Sequence, residues 1–325
     1  MHSESPELGI VVVTYNSIDV VESCLESLRD LRDVRVKVAI VDNASQDRTP
    51  GLVDEWIETN NAGSWLELIR QPVNGGYAHG VNRGLERLLE YPDLQLFWVL
   101  NPDCRFPPDT GRLIAEAGKR EPFALMGGRT VYDDDPLLVQ SDGGQVSAVT
   151  GTCRSINSGV RKAEADLPAA SDLDFIAGAS CVASREFLET AGLMREDYFL
   201  YYEEVDWAFR RGNLPLLFVP EIVVRHIGGT AIGSASLGRQ ASAFSNYFNY
   251  RSRMLFLRRF MPLRLPIGLL YALAKSAQMV LQGQRREASA VLAGSFDRQP
   301  PREVRQRLDA ESLALLKPRS DDDQS

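Results

Sequence analysis

Four apolar runs, each followed by a segment with helical spacing, constrain the fold of this chain more than any other feature. The runs cover residues 8–14, 34–41, 65–69 and 96–100. After the first run, apolar residues recur at Val20, Cys24 and Leu28, as they do on one face of an α-helix. Strands that alternate with helices predict a parallel sheet with helices on both of its faces. We therefore expect an α/β fold with a doubly wound, Rossmann-like, mostly parallel sheet that begins within residues 1–130.

Polar residues follow the predicted strands at their carboxyl ends. Thr14, Tyr15 and Asn16 come after the first strand, and Asp42 comes after the second. The carboxyl ends of parallel strands meet at one edge, where open α/β sheets bind ligands, so these residues outline a nucleotide pocket. Asp42 can accept a hydrogen bond from a pyrimidine ring nitrogen there, while Thr14 and its neighbours line the base and ribose. A helix cap or an Asx turn is the alternative role of Asp42.

The fourth apolar run ends in Asn101-Pro102-Asp103. An aspartate delivered by a rigid strand that is buried on both faces can hold a divalent cation against a diphosphate, since such cations prefer oxygen ligands. Asp103 is therefore a predicted ligand of Mg²⁺ or Mn²⁺. All three residue types also favour turns, so a plain turn is the alternative.

A stripe of glycines marks the third predicted helix. Gly76, Gly80 and Gly84 recur every four residues and leave one face of that helix without side chains. Either another backbone packs there or a diphosphate approaches the N–H groups at the start of the helix. In the second case, Asn74 and Asn82 would bond to sugar or phosphate oxygens.

Three carboxylates, Glu203, Glu204 and Asp206, lie within four positions at the start of a later predicted helix. Sugar transfer with inversion needs one carboxylate as general base to remove the proton of the acceptor hydroxyl. The helix dipole also favours acids in a first turn, and spacing alone does not choose among the three. Farther on, His226 ends a strand-like run. It is a candidate second ligand of the cation or contact of the diphosphate, with a structural role as the alternative.

Composition limits the partners of the chain. A net charge of −8 over 325 residues argues against nucleic acid, whose binding proteins carry a basic surface. Four cysteines without paired spacing predict reduced thiols, and a polar start without an apolar signal region favours a cytoplasmic protein. The longest apolar stretch, at 265–281, is interrupted by Pro266 and Lys275 and is a poor membrane span.

The regular alternation ends near residue 130. We expect residues 131–245 to form the acceptor-binding and catalytic half of the same domain, with glycine-rich loops and a hairpin turn at Asp142-Gly143. Residues 246–316 would form a basic and amphipathic helical region, and residues 317–325 a disordered tail. Five arginines and no acid lie within 251–264. This region either contacts an anionic membrane surface or packs on the core or on a second subunit of a homodimer.

Seven segments, taken in order, resemble those of the inverting, metal-dependent glycosyltransferases of family 2, in particular the rhamnosyltransferase branch. They span residues 8–230 and read IVVVTYNS, VDNASQDRT, NGGYAHGVNRGL, FWVLNPD, DFIAGASCVASREFLETAGL, FLYYEEVDWAFR and VRHIGG. The resemblance implies a GT-A fold, a nucleoside-diphosphate sugar donor and a Mg²⁺ or Mn²⁺ ion. It also implies that one sugar is added at a time, because the Gln-x-x-Arg-Trp motif of processive synthases is absent from the sequence.

The resemblance further assigns roles by position. It implies that the nucleoside is held by Thr14, Tyr15, Asn16 and Asp42, and the rest of the donor by Asn74, Gly75, Gly76, Asn82 and Asn101. Asp103 and His226 correspond to the metal ligands. Glu204 corresponds to the general base. Glu203 and Asp206 remain alternative candidates for the base, because the family usually has aspartate at the position of Glu204. Asn101 replaces the first aspartate of the usual metal motif, which removes one charge from the cation site.

These expectations describe a cytoplasm-facing enzyme, acting at or near the inner face of the cell membrane, that transfers one sugar to an acceptor hydroxyl. The resemblance favours dTDP-rhamnose as donor and includes a lipid-linked glycan among the candidate acceptors. A UDP-sugar donor and a non-catalytic sugar-nucleotide-binding protein are the alternatives. A dinucleotide-dependent oxidoreductase is excluded, because Thr14-Tyr15-Asn16 stands where Gly-x-Gly-x-x-Gly would be required.

Overall fold

The structure, a computed structural model, describes residues 7–228 and 240–316. Its strands are β1 (Leu8–Thr14), β2 (Val36–Asp42), β3 (Leu66–Arg70), β4 (Leu96–Leu100), β5 (Cys104–Arg105), β6 (Leu125–Tyr132), β7 (Val139–Ser141), β8 (Gly144–Val146), β9 (Cys153–Ser155), β10 (Ser180–Ser184) and β11 (Leu216–His226). Its α-helices are α1 (Val21–Arg29), α2 (Thr49–Thr59), α3 (Tyr77–Leu89), α4 (Thr110–Ala117), α5 (Arg185–Ala191), α6 (Glu203–Phe209), α7 (Ala243–Phe260), α8 (Leu265–Leu281), α9 (Arg285–Ser295), α10 (Arg302–Arg305) and α11 (Ala310–Leu315). The tail expected at 317–325, and Gly229 and Thr230 of the last family-like segment, lie outside the described residues.

One large sheet organises the molecule. Its strand order is β3-β2-β1-β4-β10-β6-β11-β5, with β7 added beside β6. Strands β1 to β4, β6 and β11 all run in the same direction, because β10 lies antiparallel between β4 and β6. Strand β5 follows β4 in sequence yet pairs with β11 at the far end of the order, so the sheet curls. This architecture confirms the predicted α/β fold with a mostly parallel sheet.

Alternate residues of the central strands enter two separate cores, one on each face of the sheet. Val11 and Val13 of β1 pack in the core that contains α3, whereas Ile10 and Val12 pack in the core that contains α1, α2 and α4. Both faces of these strands are therefore covered, as uninterrupted apolar runs predict. Only the strand ends and the loops after them are left to bind a ligand.

The structure corrects several expectations for the middle of the chain. Strand β6 was not predicted, because Gly127, Gly128 and Arg129 interrupt its apolar run. Asp142-Gly143 does not close a hairpin, since β7 pairs with β6 while β8 pairs with β9. The apolar segments at 214–219 and 222–224 form a single strand, β11, with an irregular register between them.

Two helices follow β10 and lead to the acidic segment. Ser184 caps α5, because its Oγ accepts a hydrogen bond from the N–H of Phe187 (3.1 Å), and Gly192 follows the helix with a φ of +72°. Helix α6 begins at Glu203, at the acids where the sequence predicts a helix start, and ends at Phe209. The expected divisions after residues 130 and 245 fall inside β6 and α7, and one sheet joins the two halves.

The helical region at the C-terminal end packs on the sheet domain through its arginines. Arg251 and Arg253 of α7 are only 6% and 2% exposed. The Arg251 Nη1 donates to the carbonyl oxygen of Asp197 in the sheet domain (2.8 Å), and the Arg253 guanidinium lies 3.9 Å from the centre of the Tyr250 ring on the same helix. A membrane-facing role is therefore wrong for these two arginines, and the packing alternative holds. Within 7–228 and 240–316, no helix combines the length and apolar character needed to cross a membrane.

Candidate active site

The loops after β1 and β2 form one wall of a site at the carboxyl edge of the sheet. Thr14 and Asp42 are paired in the sheet register, and the Thr14 hydroxyl donates to Asp42 Oδ1 (3.1 Å). Asp42 Oδ2 accepts from the N–H of Ser45 (3.0 Å), so the Asx-turn alternative is realised as well. The Ser45 Oγ accepts from the N–H of Asn16 (2.9 Å). Tyr15 and Asn16 are the more exposed members of this wall.

Asn74 and Asn43 form the neighbouring wall. The Asn43 Nδ2 donates to Asn74 Oδ1 (3.1 Å) and to the carbonyl oxygen of Gly76 (2.8 Å). Gly76, which follows Gly75, has a φ of +92°, and a Cβ there would lie 2.4 Å from the Phe199 carbonyl oxygen. Among the described residues, the buried Asn43 Oδ1 has no hydrogen-bond partner. This wall therefore holds a polar atom that a ligand can satisfy.

The rest of the glycine stripe serves packing. A Cβ at Gly80 would lie 2.6 Å from Val13 Cγ1, and a Cβ at Gly84 would lie 2.5 Å from Val11 Cγ1. Helix α3 thus approaches β1 so closely that only glycine fits at these two positions. The packing alternative is correct here.

Asn82 also has a structural environment. Its Nδ2 donates to the Met194 carbonyl oxygen (2.9 Å) and to Glu196 Oε1 (2.8 Å), and its Oδ1 accepts from the N–H of Met194 (3.0 Å). Both amide protons are used within the protein. Asn82 therefore ties α3 to the loop before α6, and its geometry does not favour the expected contact with the donor.

Asp103 and His226 meet because β5 pairs with the end of β11. His226 lies opposite Cys104 in that register, next to Asp103. The His226 Nε2 lies 3.2 Å from Asp103 Oδ1, and the N–H of Gly228 donates to Asp103 Oδ2 (3.0 Å). Burial alone would raise the pKa of the Asp103 carboxyl, but the contacts with His226 and Gly228 outweigh it and hold the pKa below its usual value.

The hydrogen bonds of His226 indicate that this pair fits a cation. Its Nδ1 lies 2.6 Å from Gln140 Oε1, which only accepts, so Nδ1 carries a proton. The other ring nitrogen, Nε2, lies 3.2 Å from Asp103 Oδ1, so a proton or a cation can lie between these two atoms. Carboxylate and imidazole are both ordinary ligands of divalent metals.

Cys104 lies in the same cluster but does not suit a ligand role. Ligand atoms of Asp103, Cys104 and His226 all lie within 4.8 Å of one another. Burial raises the pKa of the Cys104 thiol well above its usual value, so the sulfur keeps its proton. The Sγ instead contacts the Ala179 carbonyl oxygen at 3.4 Å.

Asp206 is engaged inside the protein. Its side chain is fully buried, its Oδ1 accepts from the Arg210 Nε (2.7 Å), and its Oδ2 accepts from the Tyr198 hydroxyl (2.9 Å). The Arg259 Nη1 lies 3.5 Å from the same Oδ2. A carboxylate held by two arginines and a phenol supports the fold of α6 and does not suit a general base.

Glu203 and Glu204 have environments that differ from that of Asp206 and from each other. Glu203 is 4% exposed, and its buried Oε2 has no hydrogen-bond partner among the described residues. Burial, and next the charge of Glu204, raises the pKa of Glu203 well above its usual value, which favours the protonated form of this carboxyl. Glu204 is partly exposed, and desolvation raises its pKa to about 6. Glu204 is therefore ionised at neutral pH and still able to accept a proton.

Tyr77, at the start of α3, connects the acids with the end of β4. Its hydroxyl lies 2.9 Å from Asn101 Oδ1 and 3.2 Å from the Gly178 carbonyl oxygen. Gly178 lies under Glu204, since a Cβ there would be 3.5 Å from Glu204 Cγ. The Asn101 Nδ2 lies 3.2 Å from the His226 Nε2. A chain of contacts thus runs from Glu204 to the Asp103–His226 pair.

The loop before α6 carries an unusual concentration of backbone strain. Phe199, Tyr201 and Tyr202 have φ values of 63°, 65° and 69°, in the left-handed region that favours glycine. Helix α7 holds this loop, because the Ser252 Oγ donates to the carbonyl oxygens of Tyr198 (3.2 Å) and Leu200 (2.8 Å). Strain of this kind persists where the surroundings fix the backbone, and it clusters at functional sites.

Sequence reasoning missed three contributors to the site. Tyr77 lay inside a recognised segment, directly after Gly76, and an aromatic residue at a helix start was the available signal. Asn43 directly follows Asp42, so a polar residue next to a predicted site residue was the available signal. Gln140 offered none, because it reaches His226 only through the pairing of β7 and β11 with β6.

Comparison with known proteins assigns the family. The sequence model described as glycosyl transferase family 2 matches residues 9–189, which is more than half of the chain. The chain belongs to glycosyl transferase family 2. The N-acetylglucosaminyl-diphospho-decaprenol L-rhamnosyltransferase of Mycobacterium tuberculosis is 26% identical over 238 residues, which are 67% of this chain and 75% of the relative.

Solved structures give the fold of this family 2 member. The mannosyltransferase PcManGT of Pyrobaculum calidifontis, solved with GDP-Man and Mn²⁺, superposes with a TM-score of 0.54 at 18% identity, over 97% of this chain and 86% of its own. GalNAc-T7, solved with UDP, GalNAc and Mn²⁺, gives a TM-score of 0.55 at 14% identity, over 89% of this chain and 55% of its own. The chain thus has the GT-A fold predicted from its sequence, followed by a helical C-terminal region.

Proposed function

We propose that this glycosyltransferase inverts the anomeric centre while it transfers a single sugar from a nucleoside diphosphate to an acceptor hydroxyl, with dTDP-rhamnose as the donor. One observation carries the proposal. Glu204, a partly exposed carboxylate with a raised pKa, is connected through Gly178, Tyr77 and Asn101 to the Asp103–His226 pair. A candidate base and a candidate diphosphate site therefore share one edge of the sheet.

The chemistry assigned to Glu204 is proton removal. The acceptor oxygen forms a bond to the anomeric carbon, the bond from that carbon to the diphosphate breaks, and the acceptor proton moves to the Glu204 carboxylate. A pKa of about 6 suits this work near neutral pH, because the group is ionised and still basic. The raised pKa of Glu203 favours its neutral form, so Glu203 would add no second charge beside the base.

Asp103 and His226 would hold a Mg²⁺ or Mn²⁺ ion. When bound, such an ion would act as a Lewis acid that stabilises the negative charge of the leaving diphosphate. Asn101 stands where the family usually has an aspartate, so it would add no charge to the site. We therefore expect weak metal affinity without nucleotide and tighter binding with it.

The donor-binding residues would be Thr14, Tyr15, Asn16 and Asp42 for the nucleoside, and Asn74, Gly75 and Gly76 for the remainder. The free acceptor oxygen of Asn43 is an added candidate contact. The Mycobacterium tuberculosis relative, named for L-rhamnose transfer to a diphospho-decaprenol-linked sugar, supports rhamnose as the sugar and a lipid-linked saccharide as the acceptor. The UDP in the GalNAc-T7 structure keeps a UDP-sugar as the second candidate donor.

Calorimetric titration tests the donor site. We expect dTDP to bind in the presence of Mn²⁺ and to bind more weakly without it. The reason is that phosphate oxygens of the nucleotide would complete the set of metal ligands to which Asp103 and His226 belong. Asp103→Asn should remove the metal dependence, whereas Asp109→Asn, an exposed aspartate at the start of α4, should keep it. If UDP binds more tightly than dTDP, a UDP-sugar becomes the favoured donor. Absence of binding by both nucleotides would refute the proposed enzyme.

A product analysis tests the transfer itself. Incubation with dTDP-rhamnose, Mn²⁺ and a soluble saccharide acceptor should release dTDP and form a rhamnoside of inverted anomeric configuration, which NMR identifies. If the protein binds the nucleotide but shows neither sugar transfer nor slow donor hydrolysis, it is the non-catalytic sugar-nucleotide-binding protein. A product of retained configuration would contradict the role of Glu204.

A further inference from the structure

Helix α8 turns its apolar residues away from the protein. The small residues Gly268, Ala272 and Ser276 face inward. On the opposite side, at spacings of three or four, an apolar stripe is exposed that consists of Pro266, Leu270, Leu273, Ala274, Ala277, Val280 and Leu281. Leu270 is 66% exposed and Leu281 is 89% exposed. A surface helix of a globular protein normally has the reverse arrangement, so this stripe indicates a contact surface.

The stripe lies within the most basic part of an acidic protein. No acidic residue occurs between Glu221 and Glu287, although the chain has a net charge of −8. The inward arginines of α7 are used in internal contacts, but Arg258, Arg264 and Arg285 are exposed near the two ends of α8. An apolar strip with cations beside it matches the boundary between acyl chains and anionic headgroups.

The same helix adjoins the acceptor side of the candidate active site. A Cβ on Gly268 would lie 3.7 Å from the carbonyl oxygen of Thr150, in the turn that joins β8 and β9. The next carbonyl oxygen, that of Gly151, accepts a hydrogen bond from the Tyr202 hydroxyl (2.7 Å), and Tyr202 immediately precedes the acid pair. Val149, 52% exposed, lies in the same turn. The turn between β8 and β9 thus contacts both the inward face of α8 and the residue before the acid pair.

We propose that the stripe of α8 docks on an anionic phospholipid bilayer. The helix has 17 residues and spans about 25 Å at the usual rise, enough for several side chains to enter the headgroup boundary while the helix lies flat. A second copy of this chain is a poorer occupant. A two-fold interface would bring Arg264 and Arg285 of one copy close to the same arginines of the other, and like charges oppose that contact.

The role of this contact in catalysis rests on the proposed function, in which the acceptor is a lipid-linked saccharide. An enzyme bound to the membrane would meet such an acceptor without leaving the surface. The contact itself does not depend on transfer. It is therefore testable in protein that is never given a donor.

Flotation of the full-length protein with phospholipid vesicles tests the proposal. We expect the protein to float with vesicles of phosphatidylcholine and phosphatidylglycerol at low salt, and to float less with phosphatidylcholine alone. The triple variant Leu270→Glu, Leu273→Glu, Val280→Glu should reduce partitioning by about tenfold or more, because three carboxylates would have to enter the apolar boundary. Arg264→Gln and Arg285→Gln should each weaken binding to the anionic vesicles by about fivefold.

A matched control uses two equally exposed leucines elsewhere. Leu137 and Leu167 are 61% and 57% exposed, and both lie in the region between β6 and β10. The double variant Leu137→Glu, Leu167→Glu should float like the wild type. Thermal melting should show both sets of variants folded, since the substituted side chains are exposed.

Three results would overturn the proposal. The wild type fails to float with anionic vesicles, or the control variant loses flotation as fully as the α8 variant, or light scattering shows a wild-type dimer that the α8 variant converts to monomer. Transfer to a soluble acceptor separates this failure from failure of the proposed function. Transfer without flotation removes only the membrane contact, whereas flotation without nucleotide binding supports the contact and removes only the enzyme.

Discussion

At the scale of single residues, Glu203 and Glu204 should respond differently to loss of charge. Glu204→Gln should lower kcat by roughly 10²- to 10⁴-fold with little change in donor affinity, because it removes the proposed base and no proposed donor contact. Glu203→Gln should cost far less, since burial and the charge of Glu204 raise the pKa of that carboxyl and favour its neutral form. Single-turnover kinetics combined with calorimetry would separate the two effects. If Glu203→Gln or Asp206→Asn causes the large loss of kcat instead, that residue is the base.

The raised pKa of Glu204 predicts the acidic side of the pH profile. Desolvation raises this pKa to about 6, so the carboxyl takes up its proton as the pH falls through that value. A protonated base cannot accept the acceptor proton, and kcat/KM should therefore fall as the pH falls below about 6. The fall should persist in Glu203→Gln, whose side chain is neutral throughout this range. A midpoint at the usual value for an exposed glutamate would contradict the environment assigned to Glu204.

At the scale of elements, helix α6 depends on the buried contacts of Asp206. Asp206→Asn leaves Arg210 and Arg259 without their shared carboxylate, and removal of one partner from a buried ion pair costs about 3–5 kcal/mol. We expect the free energy of unfolding in urea to fall by about this amount. Asp109→Asn, which changes an exposed aspartate, should cost far less. Unchanged stability together with a large loss of kcat would identify Asp206 as catalytic.

Elements built from continuous apolar runs were predictable from the sequence, and elements that depend on distant partners were not. Strands β1 and β4 are short apolar runs buried on both faces, so composition alone marks them. Strand β6 has Arg129 in its interior, and that charge is acceptable only because Asp142 accepts from its Nε (2.8 Å) and its Nη2 (2.6 Å). The same Asp142 was interpreted as a hairpin turn. Its local preference for turns gave no sign of the buried ion pair that fixes it.

The candidate site divides in the same way. Asp42 and Asp103 were predictable because each follows a strand of one parallel sheet, and topology then brings them to one edge. The donor contact predicted for Asn82 rests on its spacing alone, whereas its hydrogen-bond partners in the structure, Met194 and Glu196, lie more than one hundred residues later. The contact of Gln140 with His226 and the hydrogen bonds from Ser252 of α7 to the loop before α6 were not predictable, because each forms where separate elements meet.

At the scale of the whole molecule, the C-terminal helices support both sides of the site. Ser252 of α7 holds the strained loop before the acids. Ser312 of α11 donates its hydroxyl proton to the carbonyl oxygen of Asn74 (2.9 Å), across a sequence separation of 238 residues. Asp309 caps α11, since its Oδ1 accepts from the N–H of Ser312 (2.6 Å). The helical extension is therefore expected to influence donor binding without contacting the donor.

Ser312→Ala tests this coupling. The variant leaves the buried Asn74 carbonyl oxygen without its hydroxyl donor, and such a loss costs about 1–3 kcal/mol. Because Asn74 Oδ1 also orders Gly76 and Asn43, part of this cost should appear as a severalfold to about tenfold rise in the Kd for the donor nucleotide. Hydrogen exchange at residues 74–76 should accelerate, while kcat at saturating donor stays close to that of the wild type. Ser289→Ala, at an exposed position of α9, should change neither quantity. An unchanged Kd with slower turnover would instead connect α11 to the catalytic step. The hydrogen bonds of Asn43 and Asn74 would then be sufficient to hold residues 74–76 for donor binding.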